Sequence, residues 1–295
     1  MAKQLNDREP RAIFYRHGQR RIHYVEWGEP TAKTIVFVHG GRDHCRSWDW
    51  IASALSSEWR ILAVDLCGHG DSDWRADGCY RVSNYVDDLM ALVDEWQLDS
   101  LGFVGHSLGG AVVSRFAGLR PDLVSKLAVI EGLRPAKTKR SLTNDSNASK
   151  TTRSDGDSGK DPVPVKSFPY RDAAAAGERL KRLNPRLTDQ QVAHLTQHGM
   201  RRGDDGFYRW KFDPRLRQPI ASNLSDAELH QLWKQATMPT LLFCGAQSWA
   251  SNPAQDGRAS LFPDARVIEY TEAAHWLHHD QTDRFIADLQ EFFSE

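Results

Sequence analysis

The sequence predicts an α/β fold, with a mostly parallel central sheet flanked by helices and a helical cap inserted into it. Three observations carry this expectation. Short, nearly continuous apolar runs alternate with amphipathic stretches of helical period. The runs fall early and late in the chain. Between them, residues 133–238 are first polar and then helical in pattern.

Taken in order, RIHYVEWG (21–28), TIVFVHG (34–40) and RILAVDL (60–66) read as the first strands, each bounded by Gly or a turn. Several runs have almost no polar position, as strands buried on both faces require. YRVSNYVDDLMALVDEWQL (80–98) spaces Val82, Tyr85, Val86, Leu89, Leu92, Val93 and Trp96 three and four residues apart, the stripe of an amphipathic helix. LGFVG (101–105) is the next strand, Ala111 to Leu119 a helix, and KLAVIEG (126–132) a further strand. PTLLFCG (239–245), ARVIEYT (265–271) and a helix from Phe285 to Phe293 close the pattern.

The interruption has two parts. Residues 137–166 hold few apolar side chains and are expected to be a disordered, solvated loop, because they bury too little surface to offset ordering entropy. Their first half is basic, with Lys137, Lys139, Arg140, Lys150 and Arg153, and would suit an acidic surface. Residues 171–236 read as helical: AAAAGERLKRL, then LTDQQVAHLTQHGM opening on Thr188 with Gln191 at the capping-box position. The aromatic stretch GFYRWKFDPR (206–215) follows. The expected division is a core of 1–132 with 239–295, and a cap of 133–238 over the carboxyl edge of the sheet, where open α/β sheets bind ligands.

Composition narrows the function. The chain has 295 residues, 26% of them charged, with a net charge of −1, a balance that argues against nucleic acid as the main partner. A chain of this size buries roughly three quarters of its unfolded surface and needs no disulfide or metal to fold. Mean hydropathy is −0.57 and no run of 18 apolar residues occurs, so no membrane span is expected. The amino-terminal stretch is polar and lacks a secretory core. Cys45, Cys67, Cys79 and Cys244 form no C-x-x-C pair and read as reduced thiols of a cytoplasmic protein.

The strongest chemical signal is Gly105-His106-Ser107-Leu108-Gly109, between an apolar strand and a helix. Glycines allow a sharp turn there, which holds the Ser107 hydroxyl above the sheet edge at a helix amino terminus. Val38-His39-Gly40-Gly41 follows the TIVFV strand. Acyl transfer needs two backbone donors aimed at the developing oxyanion, and the N–H groups of Gly41 and Leu108 are the candidates. His39 reads as a hydrogen-bonding structural residue. Neither a dinucleotide fingerprint nor a Walker lysine pattern is present.

HGG after an early strand, DLCGHGDSD (65–73), GHSLGG (105–110) and AAHW (273–276) together resemble the α/β-hydrolase superfamily. The resemblance covers about 20–132 and 239–295, is specific for the fold and leaves the substrate open. It implies that Ser107 is a nucleophile and His275, after the last strand, its base. A serine needs such a histidine, oriented in turn by a carboxylate.

The carboxylate departs from the family pattern. Most members place an aspartate three residues after the glycine ending the strand before the histidine's; here that position holds Ser248. Two candidates remain. Glu131 closes the strand after the nucleophile helix, where some members carry their acid, and Asp256 lies in the loop beyond Ser248. Glu131 is favoured, because an unpaired carboxylate at a buried strand end is costly.

His275 and His279 are four apart, a spacing that on one helix could bind metal, but no third ligand set accompanies them, and no metal or other cofactor is expected. Asp65, His69 and Asp71 read as loop-holding residues, and Cys45 and Cys67 as packing. Trp249, Trp276 and the cap's Trp210 are candidate walls for an apolar acyl or ring substrate.

The function expected is a serine hydrolase cleaving a carboxylic ester or lactone of a small apolar molecule through an acyl-enzyme. Thioester or carbon–carbon bond hydrolysis could use the same residues. A serine at 107 excludes the resemblance's dehalogenases and epoxide hydrolases, which need an aspartate nucleophile. From another class, a ligand receptor that kept the fold would explain the missing aspartate at 248.

Overall fold

The computed structural model describes residues 9–133 and 168–295. The 137–166 insert lies outside the described residues. Eight strands form one sheet: β1 (Arg11–His17), β2 (Arg20–Trp27), β3 (Thr34–Val38), β4 (Arg60–Val64), β5 (Leu101–His106), β6 (Val124–Ile130), β9 (Thr240–Gly245) and β10 (Ala265–Tyr270). Their spatial order is β1-β2-β4-β3-β5-β6-β9-β10. β1–β2 and β2–β4 pair antiparallel and the remaining neighbours pair parallel.

The central strands β3, β5 and β9 are buried along their whole length, as the unbroken apolar runs require. Alternation divides their side chains between two cores. Val36, Leu62, Phe103, Val129 and Leu242 face one, with α2 (Val82–Trp96), α3 (Leu108–Leu119) and α6 (Asp226–Gln235) over them. Ile35, Phe37, Ile61, Val104 and Phe243 face the other, with α1 (Asp49–Leu55) and α8 (Thr282–Ser294). α2 buries Val82, Tyr85, Val86, Leu89, Leu92 and Val93, the stripe that its spacing predicts. Each such side chain contributes roughly 1.5–3 kcal/mol when fully buried.

The chain leaves the sheet after β6 and returns at β9. In between, the described residues form α4 (Ala173–Leu183), α5 (Asp189–Gly199), the hairpin β7 (Met200–Arg202) with β8 (Tyr208–Trp210), and α6. The Thr188 hydroxyl accepts from the Gln191 N–H at 3.1 Å while Gln191 Oε1 accepts from the Thr188 N–H at 2.7 Å, closing the expected capping box. The edge strand β1 and the β7–β8 hairpin were not foreseen. β1 buries only Tyr15, and β7 and β8 are three residues each, too short for a period to show. Among the described residues no helix is long and apolar enough to cross a membrane.

Candidate active site

β5 runs into α3 through Ser107, whose backbone stands at φ +51 and ψ −111. This strained conformation projects the side chain off the sheet edge. It is held by the Ser107 N–H bonding the Ile130 carbonyl at 2.8 Å and by close backbone packing. A Cβ on Gly109 would lie 2.1 Å from the Val38 carbonyl oxygen, so only glycine lets α3 start here.

The loop after β10 brings His275 to the serine. His275 Nε2 is 3.0 Å from Ser107 Oγ, and Nδ1 is 2.5 Å from Glu131 Oε2. The Glu131 side chain is wholly buried, whereas that of His275 remains 20% exposed. Glu131 sits at φ +47, immediately past β6, a left-handed turn that a non-glycine residue adopts only under constraint. Its carboxylate also accepts from the Gly245 N–H at 2.8 Å and the Ser248 hydroxyl at 2.5 Å. Ser248, at the position where the resemblance would place the acid, therefore touches Glu131.

Asp256 does not join this group. Its carboxylate pairs with Arg258 Nε at 2.9 Å and accepts from Ser251 Oγ at 2.6 Å, both inside its own loop. His275 and His279 do not share a helix, since His275 precedes α7 (Leu277–Asp280), and its Nδ1 faces Glu131.

The loop carrying Gly40 and Gly41 lies against the serine: a Cβ on Gly40 would meet His106 Nδ1 at 2.7 Å and Ser107 Cβ at 3.4 Å. Gly41 is exposed, and a Cβ there would meet Leu108 Cδ2 at 4.0 Å, so the candidate donor residues Gly41 and Leu108 adjoin. Leu108 is the first residue of α3, where backbone N–H groups have no intrahelical acceptor. His39 fixes the loop from beneath: its Nδ1–H donates to the Gly40 carbonyl at 2.7 Å and its Nε2 accepts from the Leu66 N–H at 3.0 Å. Burial lowers its pKa, keeping the ring neutral.

The fold, this geometry and a match to known proteins converge. A family model described as the alpha/beta hydrolase fold matches residues 33–282. The chain belongs to the α/β-hydrolase family. A serine hydrolase-like protein of Danio rerio is 30% identical over 210 residues, covering 70% of this chain and 63% of that protein, so the match spans under two thirds of the relative's length. An esterase of Mycobacterium tuberculosis is 36% identical over 110 residues, 37% of this chain and 36% of that one. The solved thioesterase domain from the curacin biosynthetic pathway superimposes with a TM-score of 0.77 at 22% identity, covering 96% of this chain and 100% of its own.

Other residues of this α/β-hydrolase support the site. His106 donates from Nε2 to the His275 carbonyl at 2.9 Å, tying the histidine loop to the serine's own strand. Burial, followed by the nearby His275, holds its pKa well below the ordinary value. Sequence reasoning missed this role, although His106 adjoins Ser107. Asp65 accepts from the Cys45 and Asp71 N–H groups at 2.7 and 2.9 Å and pairs with His23 at 2.7 Å, the loop-holding role expected.

Of the three tryptophans expected at the pocket, Trp249 lies with its ring 4.9 Å from that of His275 and is 72% exposed. Trp276 packs edge-on to His106 and beside His279. Trp210 packs near Gly199, whose added Cβ would meet its ring at 3.0 Å. The helix α5 is tied to the core by His194 Nε2 at 3.0 Å from Asp49 Oδ2, by His44 Nε2 at 3.0 Å from the Leu195 carbonyl, and by Gln191 donating to the His279 carbonyl at 3.0 Å.

Proposed function

We propose that the protein is a serine hydrolase that cleaves a carboxylic ester or lactone with an apolar body, working through an acyl-enzyme. The observation that carries this reading is the hydrogen-bonded run from Ser107 Oγ through His275 to Glu131, with distances of 3.0 and 2.5 Å. Ser107 attacks the carbonyl carbon as its proton passes to His275 Nε2. Glu131 stabilises the imidazolium and fixes the tautomer with the proton on Nδ1. The N–H groups of Gly41 and Leu108 bind the oxyanion of the tetrahedral intermediate, which collapses to the acyl-enzyme as the alcohol departs with the proton from His275. Water, deprotonated by His275, then releases the acid.

Residues 168–238 serve as a cap over this edge of the sheet, and Trp249 offers an apolar wall beside the histidine. The reaction needs no cofactor. The four free cysteines suit a reducing compartment, in keeping with a cytoplasmic enzyme.

Labelling by a fluorophosphonate probe tests the reading. Wild type should be modified on Ser107 alone, mapped by mass spectrometry, and Ser107→Ala should not label. A folded wild-type protein that stays unlabelled overturns it in favour of a ligand receptor.

A further inference from the structure

Among the described residues, three arginines, one of them beside Gly41, stand without a carboxylate partner. Arg42 follows Gly41 directly and is exposed, with its backbone in the left-handed region at φ +64. Arg217 and Arg179 approach one ring, with guanidinium carbons 4.9 and 5.7 Å from the centroid of Phe168. Arg217 also lies 5.3 Å from the Phe212 ring, and its Nε is buried without a hydrogen-bond partner. Phe168 itself is 50% exposed.

A chain of contacts links the turn carrying Arg217 to the loop that lies against the serine. The Asp213 N–H, beside the turn carrying Arg217, bonds the Gly68 carbonyl at 2.8 Å, and the neighbouring Leu66 N–H bonds His39 beneath the Gly40–Arg42 loop at 3.0 Å. Burial first, then the charge of Arg42 and, more weakly, that of Arg179, push the Arg217 guanidinium below its ordinary value, with Tyr170 opposing.

Three other cations near this turn are matched. Arg209 pairs with Asp205, Arg215 with Asp213 at 2.6 Å, and Lys211 with Asp71 at 2.8 Å. Among the described residues no carboxylate pairs with Arg42, Arg179 or Arg217. Like charges gathered on partly buried apolar surface are costly unless an anion joins them. Guanidinium is suited to that anion, because its fork of donors matches a carboxylate or phosphate and its face stacks on aromatic rings.

The structure assigns Arg42, beside Gly41, together with Arg179 and Arg217, around Phe168, as an anion subsite: the ester that this enzyme takes carries a carboxylate or phosphate besides the bond it cleaves. The assignment rests on the serine-hydrolase reading for its turnover test. An apolar body against Trp249 and an anionic end among the arginines would orient the substrate across Ser107.

The test compares kcat/KM for p-nitrophenyl pentanoate, its mono-p-nitrophenyl glutarate analogue, in which a carboxylate replaces the terminal methyl, and pentanoyl-coenzyme A, whose leaving group carries phosphates. The glutarate or the coenzyme A substrate should be preferred over the neutral ester, and which of them is preferred identifies the anion. Arg217→Gln should lower that preference about tenfold or more, the value of a charge-assisted hydrogen bond. Arg42→Gln, which leaves the Phe168 stack alone, should lower it in the same direction and guards against misfolding of the first variant. Equal kcat/KM for all three substrates, or a preference untouched by both variants, overturns the subsite. If no substrate turns over and Ser107 does not label, the hydrolase reading fails instead. Calorimetric titration of Ser107→Ala with glutarate and with coenzyme A, repeated in the Arg217→Gln background, then decides the subsite alone: binding lost with Arg217 supports it, and no binding of either removes it.

Discussion

Glu131, the proposed acid, reaches its partners because its backbone departs from the strand. At φ +47 the chain turns sideways, and the carboxylate reaches three donors: Gly245 N–H, Ser248 O–H and His275 Nδ1–H. Replacing it by Gln keeps the shape and removes the charge opposite the imidazolium. Glu131→Gln should lower kcat by about a thousandfold or more, as the loss of a triad carboxylate does elsewhere, whereas Asp256→Asn should leave ester turnover unaltered. Steady-state kinetics on a single p-nitrophenyl ester checks both, and the reverse ranking would move the acid to Asp256. The sequence made Glu131 legible through its place at the end of an apolar strand beside Gly132. The bond from Ser248 was not legible, since nothing in the GAQSW string says which way a hydroxyl points. Arg42, Arg179 and Arg217 were invisible for a related reason: they are distant in sequence, and an unpaired charge becomes evident only when its neighbours are known.

Elements were legible where pattern was long. The α2 stripe and the fully buried strands declared themselves, because a helix of 15 residues or a strand covered on both faces leaves little room for another period. Edge strands such as β1 and β10, half open to water, follow weaker rules. α5 is one of the elements that tie residues 168–238 to the rest of the fold, and its start was readable from Thr188 and Gln191. Thr188→Ala removes that capping bond and should cost about 1 kcal/mol of stability in urea unfolding. A loss of several kcal/mol would show that α5 bears on the core far more than one cap accounts for.

At the scale of the whole molecule, histidine sets the response to acid. His44, His69 and His279 are buried, and desolvation lowers each from 6.5 to about 3. His39, His106 and His278 are lowered for the same leading reason. In the unfolded chain these rings take up protons below pH 6.5, while in the folded one they stay neutral to about pH 3, so stability is full above 6.5 and is lost as pH falls through that window. Asp43 works the other way, since burial raises its pKa to about 7 and its contribution grows as pH falls from 7 to 3.8. Burial raises Asp280 as well, and two carboxyls do not offset six imidazoles. The urea midpoint should therefore drop between neutral pH and pH 4.5, and a midpoint that holds or rises would contradict the neutral, buried histidines.

The contact between Ser248 and Glu131 also bears on ancestry. Side chains just past the ends of β6 and β9 meet at 2.5 Å beside one imidazole. An aspartate arising at 248 would share a proton with Glu131, because two adjoining carboxylates resist joint ionisation, and one negative charge would still face His275. Glu131 could then be lost without the histidine ever standing unaccompanied. Two substitutions would thus carry the carboxylate from 131 to 248, with a negative charge beside His275 at each step.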